Sequence, residues 1–558
     1  MRFGDVMLQR RVPCVMRDGV TLYADIYLPE ETGEYPVLLM RQPYGRKIAS
    51  TVSHAHPVWY AKQGYMVVVQ DVRGRGDSEG EFIPFVHEAE DGYDTIEWAA
   101  KLPNANGKVG MYGFSYQGIA QWAAATLAPP SLVTIIPSMT AADIHRWAYP
   151  YGSFSSGMLT WAFQLARDSA RRAGDVSAEQ ACTQIMNNPD GIVRHLPLND
   201  RHPILEKYCP AYFDWVNHPE YDDYWAGLNW LPAFQASPIP TFHIGGWYDF
   251  LLDGTVQSYL ALQDQSRTPD LFHRLEIGPW VHIPWGQKAG GLDHGPDADG
   301  DMHRKQVRWF DYWLKGERTN GLYEEPPIRY FDLSSRAWLE ADTFPAETTG
   351  RKYYLTGGDN PANGTLGGGL LTPHHTKLHP QRTPDVYVYD ARLPMALPGY
   401  APLDRSAIQD RTEILVYTSE PLADSLLIFG SPKLCVAVQS MDGPTDVVAM
   451  LSLVKPGGQA LFLSVGRAEI GTDPDADGWQ HAEIQLRPIG LTFPPGTALR
   501  LELTGSAFPT LIRHPNSVGM NLAHTVDDSR LDIAVVAVAS QPGLVSYLQL
   551  PAVNATSG

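Results

Sequence analysis

Four short apolar runs constrain the first quarter of this chain more than any other feature. They are Val37-Leu38-Leu39-Met40, Met66-Val67-Val68-Val69-Gln70, Val109-Gly110-Met111-Tyr112 and Val133-Thr134-Ile135-Ile136. None alternates polar with apolar residues, so each reads as a strand buried on both faces. Between the second and third, residues 91–101 place Ile96, Ala99 and Ala100 at helical spacing, where they would face a sheet. Strands alternating with helices predict a doubly wound α/β layer structure.

The alternation stops near residue 142. Residues up to about 236 lack strand runs and are rich in Ala, Gln, Arg, Trp and Tyr, which predicts a helical insert or lid. Within it, Ser177-Ala178-Glu179-Gln180 reads as a capped helix start. Strand signals resume at Ile239-Pro240-Thr241. Residues 303–315, with Val307, Phe310, Trp313 and Leu314 at helical spacing, read as the last helix of the α/β part. After about residue 348 helical signals end. Short β-runs separated by Gly, Pro, Asn and Asp take over, such as Asp385-Val386-Tyr387-Val388-Tyr389, Glu413-Ile414-Leu415-Val416-Tyr417 and Leu499-Arg500-Leu501-Glu502-Leu503. These predict an all-β sandwich. At 558 residues the chain exceeds one ordinary core. The expected division is a catalytic α/β part at 1–142, a helical insert at 143–237, a second catalytic part at 238–345 and a β-domain at 346–558.

One strand-to-helix junction carries chemistry. Gly113-Phe114-Ser115-Tyr116-Gln117-Gly118 follows the third apolar run and precedes a helical stretch. Gly-x-Ser-x-x-Gly at such a place is a variant of the nucleophile elbow, in which serine stands on a tight turn with its hydroxyl clear of the sheet. The helix behind it aims backbone N–H groups and a positive dipole end at the reaction centre. An acid and a histidine should follow in that order. Thr241-Phe242-His243-Ile244-Gly245-Gly246 reads as a strand leading to Trp247-Tyr248-Asp249, and Leu275-Glu276-Ile277-Gly278 as a strand leading to Pro279-Trp280-Val281-His282. Residues just past the ends of parallel strands are where an open sheet collects its catalytic groups. Ser115 is therefore the candidate nucleophile, His282 its base and Asp249 the acid that orients His282, with Asp253 as the competing carboxylate. The Tyr116 backbone N–H is the first candidate oxyanion donor.

These segments resemble the cocaine-esterase-like hydrolases, which are related to the X-prolyl dipeptidyl-peptidases and α-amino-acid ester hydrolases. The resemblance rests on Arg17-Asp18-Gly19-Val20-Thr21-Leu22-Tyr23-Ala24-Asp25, Arg41-Gln42-Pro43-Tyr44-Gly45-Arg46 and Gln70-Asp71-Val72-Arg73-Gly74-Arg75-Gly76-Asp77-Ser78-Glu79-Gly80. It rests equally on Gly245-Gly246-Trp247-Tyr248-Asp249, Gly278-Pro279-Trp280-Val281-His282 and Gly505-Ser506-Ala507-Phe508-Pro509, the last with Arg513, His514, Pro515 and Asn516 behind it. It implies an α/β-hydrolase fold with a C-terminal jelly roll and a serine hydrolase cleaving ester or amide bonds. It also implies that the Tyr44 hydroxyl is the second oxyanion donor. In the amino-acid ester branch, which grips a substrate ammonium, an acid follows two places after this tyrosine. Here that place holds Arg46, which argues for uncharged or anionic esters.

Aromatic residues of the insert, Trp147, Phe154 and Trp161, together with Phe250 and Leu251 beside Asp249, are the candidate substrate contacts. Arg73, Arg75, Asp77, Ser78 and Glu79 read instead as an ion-pair and turn network bracing the elbow. No cofactor or metal is expected. Asp473-Pro474-Asp475-Ala476-Asp477-Gly478 opens like a calcium loop but has Ile484 at its twelfth place. Asp297-Ala298-Asp299-Gly300-Asp301 has its glycine in the wrong position. His54, His56, His374 and His375 read as surface histidines.

A net charge of −19 disfavours nucleic acid and anionic membranes as partners, leaving a small-molecule ester or amide. No apolar run is long enough to span a bilayer. A homo-oligomer is compatible with the sequence. Cys14, Cys182, Cys209 and Cys435 are widely spaced, which fits reduced thiols in a cytoplasmic protein. The start of the chain shows no secretory signal pattern. Two rival functions stay open at this level: an X-prolyl dipeptidyl-peptidase or amino-acid ester hydrolase acting on β-lactams, and a non-catalytic ligand- or carbohydrate-binding protein on a hydrolase scaffold.

Overall fold

The computed structural model describes residues 2–29, 33–47, 53–283, 285–345, 350–375, 382–471, 474–475, 477–517 and 530–553. The chain divides into two compact units. One comprises Met1–Ile144, Asp223–Asp332 and Arg336–Phe344; the other comprises His145–Asp222, Leu333–Ser335 and Pro345–Gly558.

The first unit is built on an 11-stranded sheet. Its strands in chain order are β1 (Arg2–Phe3), β2 (Val6–Val15), β3 (Thr21–Leu28), β4 (Tyr35–Gln42), β5 (Met66–Asp71), β6 (Ala105–Phe114), β7 (Leu132–Ser138), β8 (Thr241–Gly246) and β9 (His273–Gly278). A small hairpin, β10 (Lys288–Ala289) and β11 (Leu292–Asp293), stands apart from the sheet. The last two members are β12 (Ile328–Asp332) and β13 (Ala337–Ala341). The spatial order is β1-β2-β3-β5-β4-β6-β7-β8-β9-β12-β13. Pairing is parallel from β5 through β12 and antiparallel at both margins.

All four apolar runs are strands of this sheet, and β5 is buried along its whole length. The order reverses at β4, because the chain steps back from β4 to β5 before passing β4 again to form β6. The loops after β4 and β6 therefore flank a topological switch point, where open parallel sheets bind their ligands. Two helices, α2 (Glu88–Ala99) and α3 (Tyr116–Ala125), pack on β4 and β6 here, while α1 (Pro57–Ala61) packs on β5 and β3. α2 and α3 approach closely at Gly92, where an added Cβ would lie 2.5 Å from the Ala124 Cβ.

The helix expected at 303–315 is present, as an α-helix at Met302–Phe310 that widens into a π turn at Asp311–Lys315. Val307, Phe310, Trp313 and Leu314 are all buried in the core of the unit, with Leu38, Met40, Val67, Val69 and Ile244. Gly110 in β6 has no room for a side chain there, since a Cβ would lie 2.8 Å from the Phe310 ring.

The second unit joins helices to strands. Its longest helices are Ser156–Arg172 and Val176–Asn187. The cap of the second is Asp175, whose carboxylate accepts from the Ala178 backbone N–H, two residues before the start expected at Ser177. The C-terminal part is mostly strands, most of them in a second 11-stranded sheet. Within it Asp385–Asp390 pairs antiparallel with Ile533–Ala539, and Leu415–Ser419 with Ala498–Thr504. Helical and strand segments of this unit hydrogen-bond directly, through Ser153 to the Ile512 carbonyl and Arg513 to the Arg194 carbonyl.

Candidate active site

Ser115 stands alone between the end of β6 and the start of α3. Its backbone is at φ 59°, ψ −126°, a conformation costly for any residue but glycine. The surroundings hold it there. The Ser115 N–H donates to the Ser138 carbonyl at 2.9 Å, and the Ser115 carbonyl accepts from the Thr140 hydroxyl and the N–H groups of Gly118 and Ile119. The flanking glycines are steric requirements. A Cβ on Gly113, at φ +143°, would overlap Gln117, and one on Gly118 would lie 2.6 Å from Thr140.

Asp249 follows β8 and His282 follows β9. Their two loops are tied together: the Trp247 N–H donates to the Gly278 carbonyl and the Tyr248 N–H to the Trp280 carbonyl. Trp280 is itself anchored by its indole N–H on the Ala298 carbonyl. A Cβ on Gly246 would overlap the Trp280 carbonyl, so the close approach of these loops needs glycine. Asp249 is fully buried.

The three groups form one chain of hydrogen bonds. His282 Nδ1 lies 2.7 Å from Asp249 Oδ1, and His282 Nε2 lies 2.9 Å from Ser115 Oγ. With Nδ1–H donating to the carboxylate, Nε2 is left as the acceptor facing the serine hydroxyl. Phe250, partly exposed, holds its ring 4.2 Å from that of His282 at a tilt of 35°, and the Phe114 ring lies 5.7 Å away.

The Tyr116 N–H is at the first turn of α3, where backbone donors have no partner within the helix. The Tyr116 phenol is buried and donates to Glu88 Oε1 at 2.9 Å, while its oxygen accepts from the Phe85 N–H. Burial first, then the Glu88 charge, push this phenol well above its ordinary range, and Tyr44 is near enough to add to the effect. Tyr44 is half-buried on the loop after β4, its backbone N–H held by the Gln42 side chain at 3.2 Å.

Arg46 does not face a substrate. It is buried, with Nε 2.8 Å from Asp25, Nη2 2.6 Å from Asp77 and Nη1 paired with Asp71. Its backbone N–H donates to the same Asp71 at 2.6 Å. Burial alone would disfavour its charge, but these carboxylates hold it protonated, above its ordinary range. Arg46, its charge met by three aspartates, therefore gives no reason to exclude substrate ammonium groups. The neighbouring segment forms an ion-pair and turn network, but these contacts go to α2, β5 and the β2–β3 hairpin and not to the elbow: Arg73 pairs with Asp91 and Asp18, Ser78 donates to the Asp71 carbonyl, and the Glu79 side chain accepts from the Thr21 N–H.

Of the remaining candidates, Leu251 is buried at the cap of the helix Leu252–Gln263. Trp147, Phe154 and Trp161 belong to the second unit, in its aromatic core. Trp161 lies 5.0 Å from Trp147 and stacks on Trp215 at 5.5 Å, and Phe154 meets Tyr149 at 5.3 Å. His54 is buried rather than on the surface, and burial lowers its pKa to about 3.

Among the described residues, Asp446, Glu469 and His514 of the second unit come within 4.8 Å of one another. The Arg467 guanidinium already pairs with both carboxylates there, at 2.5 and 3.3 Å. Asp473 and Ala476 of the calcium-like string lie outside the described residues. The string at 297–301 forms a short 3₁₀ turn at Pro296–Asp299. No disulfide joins Cys14, Cys182, Cys209 or Cys435, and no helix among the described residues is long and apolar enough to cross a membrane.

The sequence reading missed Glu88. It lies in an acidic stretch at a helix start, which is indistinguishable from ordinary dipole pairing. The available signal was Arg41, a charge inside a strand buried on both faces, which must find a partner.

Residues 18–284 match the X-Pro dipeptidyl-peptidase (S15 family), and residues 320–548 match the X-Pro dipeptidyl-peptidase C-terminal non-catalytic domain. The chain is 29% identical over 582 residues to the cocaine esterase of Rhodococcus sp. (strain MB1 Bresler), covering 99% of both chains. Its fold is similar to that of an α-amino acid ester hydrolase, with a TM-score of 0.79 at 22% identity over 98% of this chain and 97% of that one. An aminopeptidase from a marine sediment archaeon (Thaumarchaeota archaeon) is as similar, with a TM-score of 0.79 at 21% identity over 99% and 97% of the two chains.

Proposed function

For a chain that belongs to the cocaine-esterase-like serine hydrolases, we propose that Ser115, His282 and Asp249 are the triad and that Tyr116 and Tyr44 supply the oxyanion hole. The enzyme is a serine hydrolase acting on ester bonds. The observation that carries the site assignment is the unbroken hydrogen-bond chain from Asp249 through His282 to Ser115.

The chemistry follows from the geometry. A serine hydroxyl is a weak nucleophile until a base takes its proton. As Ser115 Oγ attacks the ester carbonyl carbon, its proton passes to His282 Nε2. The imidazolium is held by the buried Asp249 carboxylate, and the new oxyanion by the Tyr116 N–H and Tyr44 hydroxyl. Collapse breaks the carbon–oxygen bond to the leaving alcohol, which takes the proton from His282. Water then attacks the acyl-enzyme by the same steps, with His282 again the base. Phe250, in ring contact with His282, borders the acyl position and favours an apolar or aryl acyl group.

A second reading, hydrolysis of α-amino esters or release of N-terminal dipeptides, is favoured by the burial of Arg46, whose charge is neutralised by three aspartates. The C-terminal part fits a jelly roll without a catalytic role, and four cysteines outside any disulfide fit a cytoplasmic protein.

The test is a panel of p-nitrophenyl esters, aryl esters, β-lactams and dipeptide anilides. It includes a matched pair of phenylacetate and phenylglycine esters with one leaving group. Turnover of simple esters is expected. A preference of about tenfold or more for the phenylglycine ester, about 1.4 kcal/mol in transition-state binding, moves the assignment to the amino-ester branch. No turnover of any member, with no reaction toward a fluorophosphonate, leaves a binding protein on a hydrolase scaffold.

A further inference from the structure

The two proposed oxyanion donors come from different segments, Tyr44 on the loop after β4 and the Tyr116 N–H at the start of α3. One buried carboxylate touches both segments. Glu88, the first residue of α2, receives Arg41 Nη1 on Oε2 at 2.7 Å and the Tyr116 phenol on Oε1 at 2.9 Å. Arg41 is in β4, three residues before Tyr44, and is fully buried with its Nε on the Gln70 side chain at 2.9 Å. Its Nη1 also donates to the Glu88 carbonyl. The Tyr116 ring is fixed by stacking on Phe85 at 5.5 Å and by accepting the Phe85 N–H.

We propose that Glu88 is a positioning residue that sets the spacing of the oxyanion hole, a reading that rests on the Tyr44 and Tyr116 assignment above. Its two oxygens join the strand behind one donor to the side chain of the residue that carries the other. All three partners are buried, so the strut works where water cannot substitute for it. Oxyanion stabilisation depends on donors held in place before the charge forms, and small displacements are costly. Burial first disfavours the Glu88 charge, while Arg41 and the Tyr116 hydroxyl favour it.

The test is Glu88→Gln, with Glu90→Gln, an exposed carboxylate two residues further along α2, as the control. Ester turnover is measured beside the affinity of an arylboronic acid, whose tetrahedral serine adduct occupies the hole. The folded Glu88→Gln enzyme is expected to lose kcat on the order of 10²-fold with KM nearly unchanged. Boronate affinity should fall in parallel, and the loss combined with Tyr44→Phe should be smaller than the product of the two single losses. Tyr116→Phe removes only the phenol contact while keeping the backbone N–H. It should show the same pattern, and it decides the matter if Glu88→Gln fails to fold. A folded Glu88→Gln or Tyr116→Phe enzyme with normal kcat and boronate affinity overturns the strut. So does a raised KM with kcat held, or a loss that multiplies fully with that of Tyr44→Phe. If Tyr44→Phe alone leaves kcat and boronate affinity unchanged, the oxyanion assignment fails and the strut with it.

Discussion

Asp249→Asn isolates what the buried carboxylate does for His282. The side chain is fully buried, with its oxygen 2.7 Å from Nδ1, so asparagine fits the same space and removes the charge. During attack His282 becomes an imidazolium. At a charge separation of roughly 4 Å and an effective dielectric of about 20, the lost attraction is about 4 kcal/mol. That corresponds to roughly a 10³-fold loss in rate. Asparagine can also donate to Nδ1, which places the remaining proton on Nε2 and turns it away from its role as base. The combined expectation is a fall in kcat of about 10⁴-fold. The assay is steady-state hydrolysis of p-nitrophenyl acetate, with fluorophosphonate labelling measured in parallel and thermal unfolding as the control. Labelling should slow with turnover, while the melting temperature holds. A folded variant that keeps more than about a tenth of kcat, a loss of under 1.4 kcal/mol, refutes the reasoning. Asp253→Asn, in the first turn of the next helix, is expected to stay within about threefold of wild type, the size of an ordinary substitution away from the chemistry.

Three further outcomes are expected. Tyr44→Phe removes one hydroxyl and should lower kcat by roughly 10²- to 10³-fold with little change in KM; an unchanged kcat with a raised KM would make Tyr44 a substrate-positioning residue. Arg46→Met leaves Asp25, Asp71 and Asp77 without their shared cation and should destabilise the fold by about 3–5 kcal/mol in urea unfolding, whereas a loss under about 0.5 kcal/mol would show the cage to be unimportant. Glu276 is buried, and burial raises its pKa to about 7 despite Arg329 and Arg274 nearby. A carboxyl whose folded pKa is raised stabilises the fold below its unfolded value and loses that contribution as pH rises through the folded one. Wild type should therefore lose stability relative to Glu276→Gln between pH 4.5 and 7, on the order of 1–3 kcal/mol, and a gain over the same window would contradict the direction.

The sheet was legible because strands buried on both faces admit little but β-branched and apolar residues, so β4 to β7 announce themselves. The elbow was legible for a different reason. Its backbone leaves no room for side chains at Gly113 and Gly118, and the sequence records that need directly. The acid and histidine loops share this property at Gly246. Long-range polar pairing left no such record. Arg46 finds its three aspartates on other segments, and nothing local distinguishes a caged arginine from one facing a ligand. Glu88 was hidden for the same reason. Residues 223–236 read as one with the preceding helices because they too lack strand runs and share the same composition. Their contacts decide otherwise: they group with the first unit, where Phe234 packs edge-on against Trp122 at 4.9 Å.

The central claim is that Ser115 is the nucleophile of an acyl-transfer reaction. Mass spectrometry of the protein after reaction with a fluorophosphonate, followed by peptide mapping, tests it most directly. One adduct is expected, on the peptide carrying Ser115. It should be absent from Ser115→Ala, whose kcat should fall by about 10⁴- to 10⁶-fold. An adduct on another residue, or a Ser115→Ala enzyme retaining a tenth or more of its activity, on the order of 1.4 kcal/mol or less in the barrier, would contradict the account.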